Sequence, residues 1–164
     1  RIIGEQPLVT AAGFWAVTAA LASTAVGAAV FVGRRPRFPI PVVATPVILG
    51  VHAWCLLVDS RPSVRIACTA AMYVVWLVAA ANELFRERQP GLLVSSRFTG
   101  GVMLAYAAVV VVRSAIMAAG DGSTAMFARE LPQVIAFLGT IFWVVSFTFG
   151  VVLMINQQIG RAHV

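Results

Sequence analysis

The sequence predicts an all-α fold, an integral membrane helical bundle of about five transmembrane helices. Three observations carry that prediction. Hydrophobic residues make up 60% of the 164-residue chain and charged residues only 11%, whereas a soluble domain carries about a quarter charged residues. The apolar residues gather into five runs of roughly 20 or more, and at 1.5 Å rise each spans a hydrocarbon core of about 30 Å. The runs are apolar all round and do not alternate as membrane strands must, so they read as helices. Mean hydropathy is +0.93.

The first helix is expected over about residues 8–32, closed by the basic turn Gly33-Arg34-Arg35-Pro36-Arg37-Phe38. The second covers about 39–58. Pro39 and Pro41 lie at its start, where a missing N–H costs little. Pro46 lies deeper and predicts a kink. The third covers about 63–85, after the short link Asp59 to Pro62, and the fourth about 98–119, after Arg86 to Arg97. The fifth covers about 132–155 and follows Gly120 to Leu131, where Asp121-Gly122-Ser123 signals a turn. Links this short force sequential helices to run antiparallel. Residues 1–158 thus read as one membrane bundle. The tail Ile159-Gly160-Arg161-Ala162-His163-Val164 matches what one reading frame of a common sequencing adaptor encodes, so residues 159–164 are set aside. The chain opens on Arg1 with no signal-peptide pattern, and the native protein is expected to continue past Gln158.

Charge narrows the chemistry. All twelve basic residues are arginine, so no Schiff-base, P-loop or general-base lysine exists. The six acids are Glu5, Asp59, Glu83, Glu87, Asp121 and Glu130, and none forms a close pair within an apolar run. A net charge of +6 would suggest nucleic acid in a soluble domain. Here the arginines sit mostly between apolar runs, as topology signals, and no nucleic-acid partner is expected. One side of the bundle holds Arg34, Arg35, Arg37, Arg86, Arg88 and Arg97; the other holds Arg1, Arg61, Arg65 and Arg129. The richer side is expected in the cytoplasm, which puts Gln157 inside.

Polar groups inside a membrane are costly and often functional. His52 lies about two turns from the outer end of helix two, and Arg113 about two turns from that of helix four. Arg65 sits in the first turn of helix three. Together they suit a pocket open to the outside with cationic walls for a small anionic ligand. A structural reading stands beside this one. Arg113 snorkels to the headgroups, His52 donates to a carbonyl near the one freed by Pro46, and Arg65 pairs with Asp59. Near the inner side, Glu83 and Arg86 are three apart and predict a local ion pair. Asn82 and Asn156 are candidates for hydrogen bonds across helices.

The remaining features read as packing. Cys55 and Cys68 make no CxxC and no metal spacing and are expected to be apolar filler. Phe137, Phe142, Trp143, Phe147 and Phe149 of helix five, like Phe14, Trp15, Trp54, Tyr73 and Trp76, are expected mostly at lipid or interface positions. Small residues at spacing four (Ala25 with Ala29, Gly101 with Ala105, Ser146 with Gly150) predict close helix contacts. Catalytic and metal-binding motifs are absent: no H-E-x-x-H, no G-x-S-x-G, no phosphate-cradling loop. No catalytic residue, metal ligand or cofactor is assigned, and the fragment is not expected to be an enzyme by itself.

The order of elements resembles the multi-helix membrane sensory region that precedes the GGDEF domain in many bacterial diguanylate cyclases. Three stretches carry the likeness: Ala25-Val26-Gly27 through Gly33-Arg34-Arg35-Pro36, Val58-Asp59-Ser60-Arg61-Pro62-Ser63-Val64-Arg65-Ile66, and Phe147-Thr148-Phe149-Gly150-Val151-Val152-Leu153-Met154-Ile155-Asn156-Gln157-Gln158. An arginine in the fourth helix, here Arg113, also looks like a feature of the family. The resemblance covers about residues 8–158. It implies a place in the bacterial inner (cytoplasmic) membrane, upstream helices before residue 1, signal transduction through the last helix, a cyclic di-GMP-producing output domain beyond Gln158, and homodimeric pairing of such domains. The GGDEF motif itself is absent. Three alternatives stay open: a sensor driving a histidine kinase, a fragment of a small transporter or permease, and a structural anchor without a ligand.

Overall fold

The computed structural model describes residues 7–58, 62–89, 91–119 and 131–162. Asp59, Arg61 and the Asp121-Gly122-Ser123 turn lie outside the described residues. Among those described there are five α-helices and no strand: α1 (Pro7–Phe31), α2 (Pro39–Leu57), α3 (Pro62–Phe85), α4 (Leu93–Ala119) and α5 (Leu131–Ala162). All five are long and apolar enough to cross a membrane. The end that holds the α1–α2 and α3–α4 links is called inner below, and the opposite end outer.

Two helices differ from the expected bounds. α4 begins five residues earlier than 98, because Ser95, Ser96 and Thr99 do not break it. Their hydroxyls turn back onto the carbonyls of Leu92, Leu92 and Ser95, so polar side chains that compete with the helix elsewhere are absorbed by it here. α5 runs on to Ala162, past the point where its apolar run ends. In α2, Pro39 takes the first-turn position and the helix continues through Pro46.

α1 ends in a Schellman turn. Gly33 is in the left-handed region (φ 70°), its N–H bonds to the carbonyl of Val30 at 2.9 Å, and the N–H of Arg34 bonds to that of Ala29 at 2.9 Å. Only glycine adopts this conformation without a Cβ penalty. The turn sends the chain back toward α2, where Phe38 is buried with its ring edge-on to Trp76 at 5.9 Å.

α3 is the hub. It packs against α1, α2 and α4, while α5 packs against α4. The core therefore lies along α3: Met72, Leu77, Ala80, Ala81 and Leu84 are almost fully buried, and Ala25 and Ala29 of α1 close on them. Ala25 and Ala29 thus make the close contact that their spacing predicts. Gly101 and Ala105 do not, since both are exposed. Gly150 does: a Cβ there would collide with the Thr99 side chain, so α4 and α5 touch at this point through a missing side chain.

At the inner end the polar groups are bonded. Glu83 and Arg86 form the expected ion pair, at 3.4 Å. Asn82 and Asn156 are exposed and take no part in cross-helix bonding. That role falls to Ser95, whose hydroxyl meets Gln157 Oε1 at 2.6 Å, and to Gln158, whose amide donates to the carbonyl of Phe31 at 3.3 Å.

Candidate functional site

The register of α2 against α3 fixes what lies near His52. Trp76 Nε1 donates to the Thr45 hydroxyl at 3.1 Å, and that hydroxyl lies 3.9 Å from Met72 Sδ. The helices are antiparallel, so seven residues further along α2 correspond to seven residues back along α3. His52 therefore faces the stretch from Arg65 to Thr69, which contains Cys68. Cys55, one turn beyond His52 on the same face, is also buried, as is Cys68. Both are free thiols.

His52 is 5% exposed. Its ring stacks on Phe14 of α1, with centroids 3.9 Å apart and planes 16° from parallel. Neither ring nitrogen has a hydrogen-bond partner. The expected bond from His52 to a carbonyl near Pro46 does not form, because the stacking on Phe14 sets the ring plane instead. The imidazole thus keeps one donor and one acceptor unused in a buried place, a condition met by few native polar groups and costing about 1–3 kcal/mol. The guanidinium of Arg65 is close enough to act on His52 electrostatically, and the Thr69 hydroxyl bonds to the carbonyl of Arg65 at 2.9 Å. Two of the three expected site residues are thus brought together, on α2 and α3 beside α1.

Arg113, the third, stands half-buried on α4. It acts electrostatically on Tyr73 of α3 and belongs to a different group of side chains. Tyr106 lies two turns from it on the same face of α4. Tyr106 meets Tyr73 edge-on at 6.0 Å, stacks on Trp143 of α5 at 4.8 Å, and shares a hydrogen bond of 3.1 Å with the Thr140 hydroxyl. Trp143 in turn stacks on Phe147 at 5.7 Å, and its indole N–H is buried without a partner. A column of rings thus links α3, α4 and α5. Each ring was visible in the sequence, but no spacing rule joins residues 73, 106 and 143. The only hint was that two tyrosines occupy helices otherwise apolar at those depths.

The outer half also holds a groove of about 460 Å³ between α3 and α4, lined largely by small and β-branched residues such as Ser63, Ala67, Ala70, Val74, Val111 and Ser114. None of His52, Arg65 and Arg113 lines it. The α3 residues that line it lie on the face opposite to Arg65, so the outer half holds an apolar slot and a separate polar pair, not one cavity walled by arginine. Among the described residues no three of His, Cys, Asp and Glu lie close enough to hold a metal ion.

The other aromatic expectations divide. Trp15, Trp54, Phe137, Phe142 and Phe149 are exposed, as lipid-facing or interfacial rings are, while Phe14 and Trp76 are buried and Tyr73, Trp143 and Phe147 pack onto the core. No protein-family model, curated protein or solved structure matches the chain.

Proposed function

We propose that the chain is the membrane-embedded sensory and regulatory region of a bacterial signalling protein. It sits in the cytoplasmic membrane with the inner end in the cytoplasm, and its output is a diguanylate cyclase domain following α5. The observation that supports this reading is His52: a buried imidazole with both nitrogens unused, in the outer half and beside the Arg65 guanidinium. Such a group is poised to bind a small anionic ligand, which would accept from the imidazole N–H and sit against the guanidinium charge. The six exposed arginines of the inner end support the orientation.

The relay runs through the ring column. Ligand held by His52 and Arg65 acts on the outer half of α3. Tyr73 meets Tyr106, and Tyr106 meets Thr140 and Trp143 of α5. A ligand that binds one arrangement of α5 more tightly than another shifts their populations, and with them the pairing of two output domains in a homodimer. Arg113, beside Tyr73, belongs to this relay.

The test uses the full-length protein in its membrane, read by cyclic di-GMP level. Arg113→Ala and His52→Phe should each abolish the response to the cue at normal expression. An unchanged response in both variants sinks the sensory reading. Sequencing the intact gene past Gln158 checks the output independently: a GGDEF domain supports the reading, and further hydrophobic helices would make the chain part of a transporter.

A further inference from the structure

We infer that the inner end carries a binding site for the phosphate of an anionic phospholipid headgroup, formed by Arg34, Arg35 and Arg37 from one link and Arg86 and Arg88 from the other. The inference rests on the membrane-embedded part of the reading above and is independent of any sensory role.

The two links form one surface because Arg34 Nη2 donates to the carbonyl of Arg86 at 2.7 Å. The segment that carries Arg34, Arg35 and Arg37 is held at both ends. The Schellman turn at Gly33 fixes its start, and buried Phe38 against Trp76 fixes its finish. Pro36 removes a further torsion between them. All five guanidinium groups are exposed, so their charge is presented outward by a backbone already in place.

Of the two acids beside this surface, one is taken up by the backbone and the other offsets Arg86 alone. Glu87 is buried, and its Oε1 accepts the backbone N–H groups of Arg88 at 2.8 Å and Gln89 at 2.7 Å. Its carboxylate is thereby used to close the end of α3. Glu83 is buried as well and bonds Arg86 alone. What remains is a cationic face with no exposed carboxylate among the described residues of the two links.

Its depth selects the partner. The apolar spans of α1, α2, α3 and α4 stop at Phe31, Pro39, Phe85 and Leu93, so the arginines stand where the hydrocarbon ends and headgroup phosphates begin. Basic clusters at that level bind anionic lipids, and arginine offers phosphate a paired donor geometry that lysine lacks.

The experiment places the purified protein in phosphatidylcholine vesicles with and without phosphatidylglycerol, and measures lipid retention by mass spectrometry after gentle detergent extraction. Phosphatidylglycerol should be retained over phosphatidylcholine. Arg35→Gln should weaken retention about fivefold, and Arg35→Gln with Arg88→Gln about 30-fold, from roughly 1 kcal/mol per basic residue at an anionic surface. Arg97→Gln, which removes an exposed charge of the same end outside the cluster, should change it less than about twofold. Equal losses from Arg35 and Arg97 would show diffuse surface charge and overturn the site. Inorganic phosphate displacing the lipid at millimolar concentration would overturn the lipid as the ligand. A chain that does not float with the vesicles at all overturns the membrane reading itself, a result distinct from floating without lipid preference.

Discussion

In an 18-residue apolar stretch of α3, 39% of the residues are buried; in the corresponding stretch of α5, 11% are. Both are continuous apolar helices, and their sequences alone do not set them apart. The difference is one of position. α3 meets three other helices and carries the core along its whole length, whereas α5 lies along one seam with α4. α3 cannot shift without disturbing the contacts of α1, α2 and α4 together. α5 can shift by remaking the Gly150–Thr99 contact, the Tyr106–Thr140 and Tyr106–Trp143 contacts and the bonds of Gln157 and Gln158. The relay proposed above would need one fixed part and one part with few ties, and these two helices have those properties.

The contrast breaks most visibly at the core. Leu77→Ala in α3 should cost about 2–5 kcal/mol in a micelle unfolding titration, since the site is almost fully buried and cannot collapse. Leu138→Ala in α5, exposed on the outside of the bundle, should stay within about 0.5 kcal/mol. Similar values for the two would abolish the distinction between hub and arm. Next comes the seam itself. Gly150→Val forces a side chain into Thr99 and should destabilise by about 1–3 kcal/mol, while Gly101→Val on the open face of α4 meets nothing within 4 Å and should be nearly neutral in the same titration.

The third test concerns the outer half of the hub. His52→Phe replaces an imidazole with unused nitrogens by an apolar ring that keeps the stack on Phe14. It should stabilise the unliganded protein by about 1–2 kcal/mol, seen as a higher midpoint. A lower midpoint would mean that the imidazole already has a partner. The smallest effect sharpens the contrast at the tip of α5. Ser95→Ala removes the bond to Gln157 and should cost about 0.6 kcal/mol. Spin labels on α4 and near residue 157 should then report a wider distance distribution, with no change between labels on α1 and α3.

Much of this architecture was legible in the sequence, because helices long and apolar enough to cross a membrane announce themselves by length and composition. Five runs gave five helices, and the bounds of α1, α2 and α3 shifted by no more than a residue or so. The start of α4 was misplaced because Ser95, Ser96 and Arg97 read as link. Hydroxyls that bond back along a helix leave no mark in a polarity profile. The end of α5 was misplaced for a similar reason, since Asn156, Gln157 and Gln158 are polar but helical. The Glu83–Arg86 pair was legible because three-residue spacing is local. The hub role of α3 was not, because in an alanine-rich chain every helix offers small residues and only packing decides which are used. The candidate site was half legible. His52 and Arg65 stood out as polar groups at one depth, and antiparallel pairing brings them together. Their separation from Arg113, and the ring column beside it, depend on which face of α3 meets which neighbour. The partnerless state of His52 depends on Phe14, 38 residues away in sequence.

The seam at Gly150 gives α5 the mechanics of a beam on a bearing. With the Thr99 contact as pivot, the arm toward Leu131 is about 28 Å long and the arm toward Gln158 about 12 Å. A swing that moves the outer tip by about 3 Å moves the inner tip by little more than about 1 Å. Displacement is reduced by more than half on the way in, and force is multiplied by the same ratio. Rotation of a rigid helix about its own axis, by contrast, is equal at its two ends wherever the pivot lies. A partner at the inner tip would therefore read twist or torque from α5 far better than it reads travel.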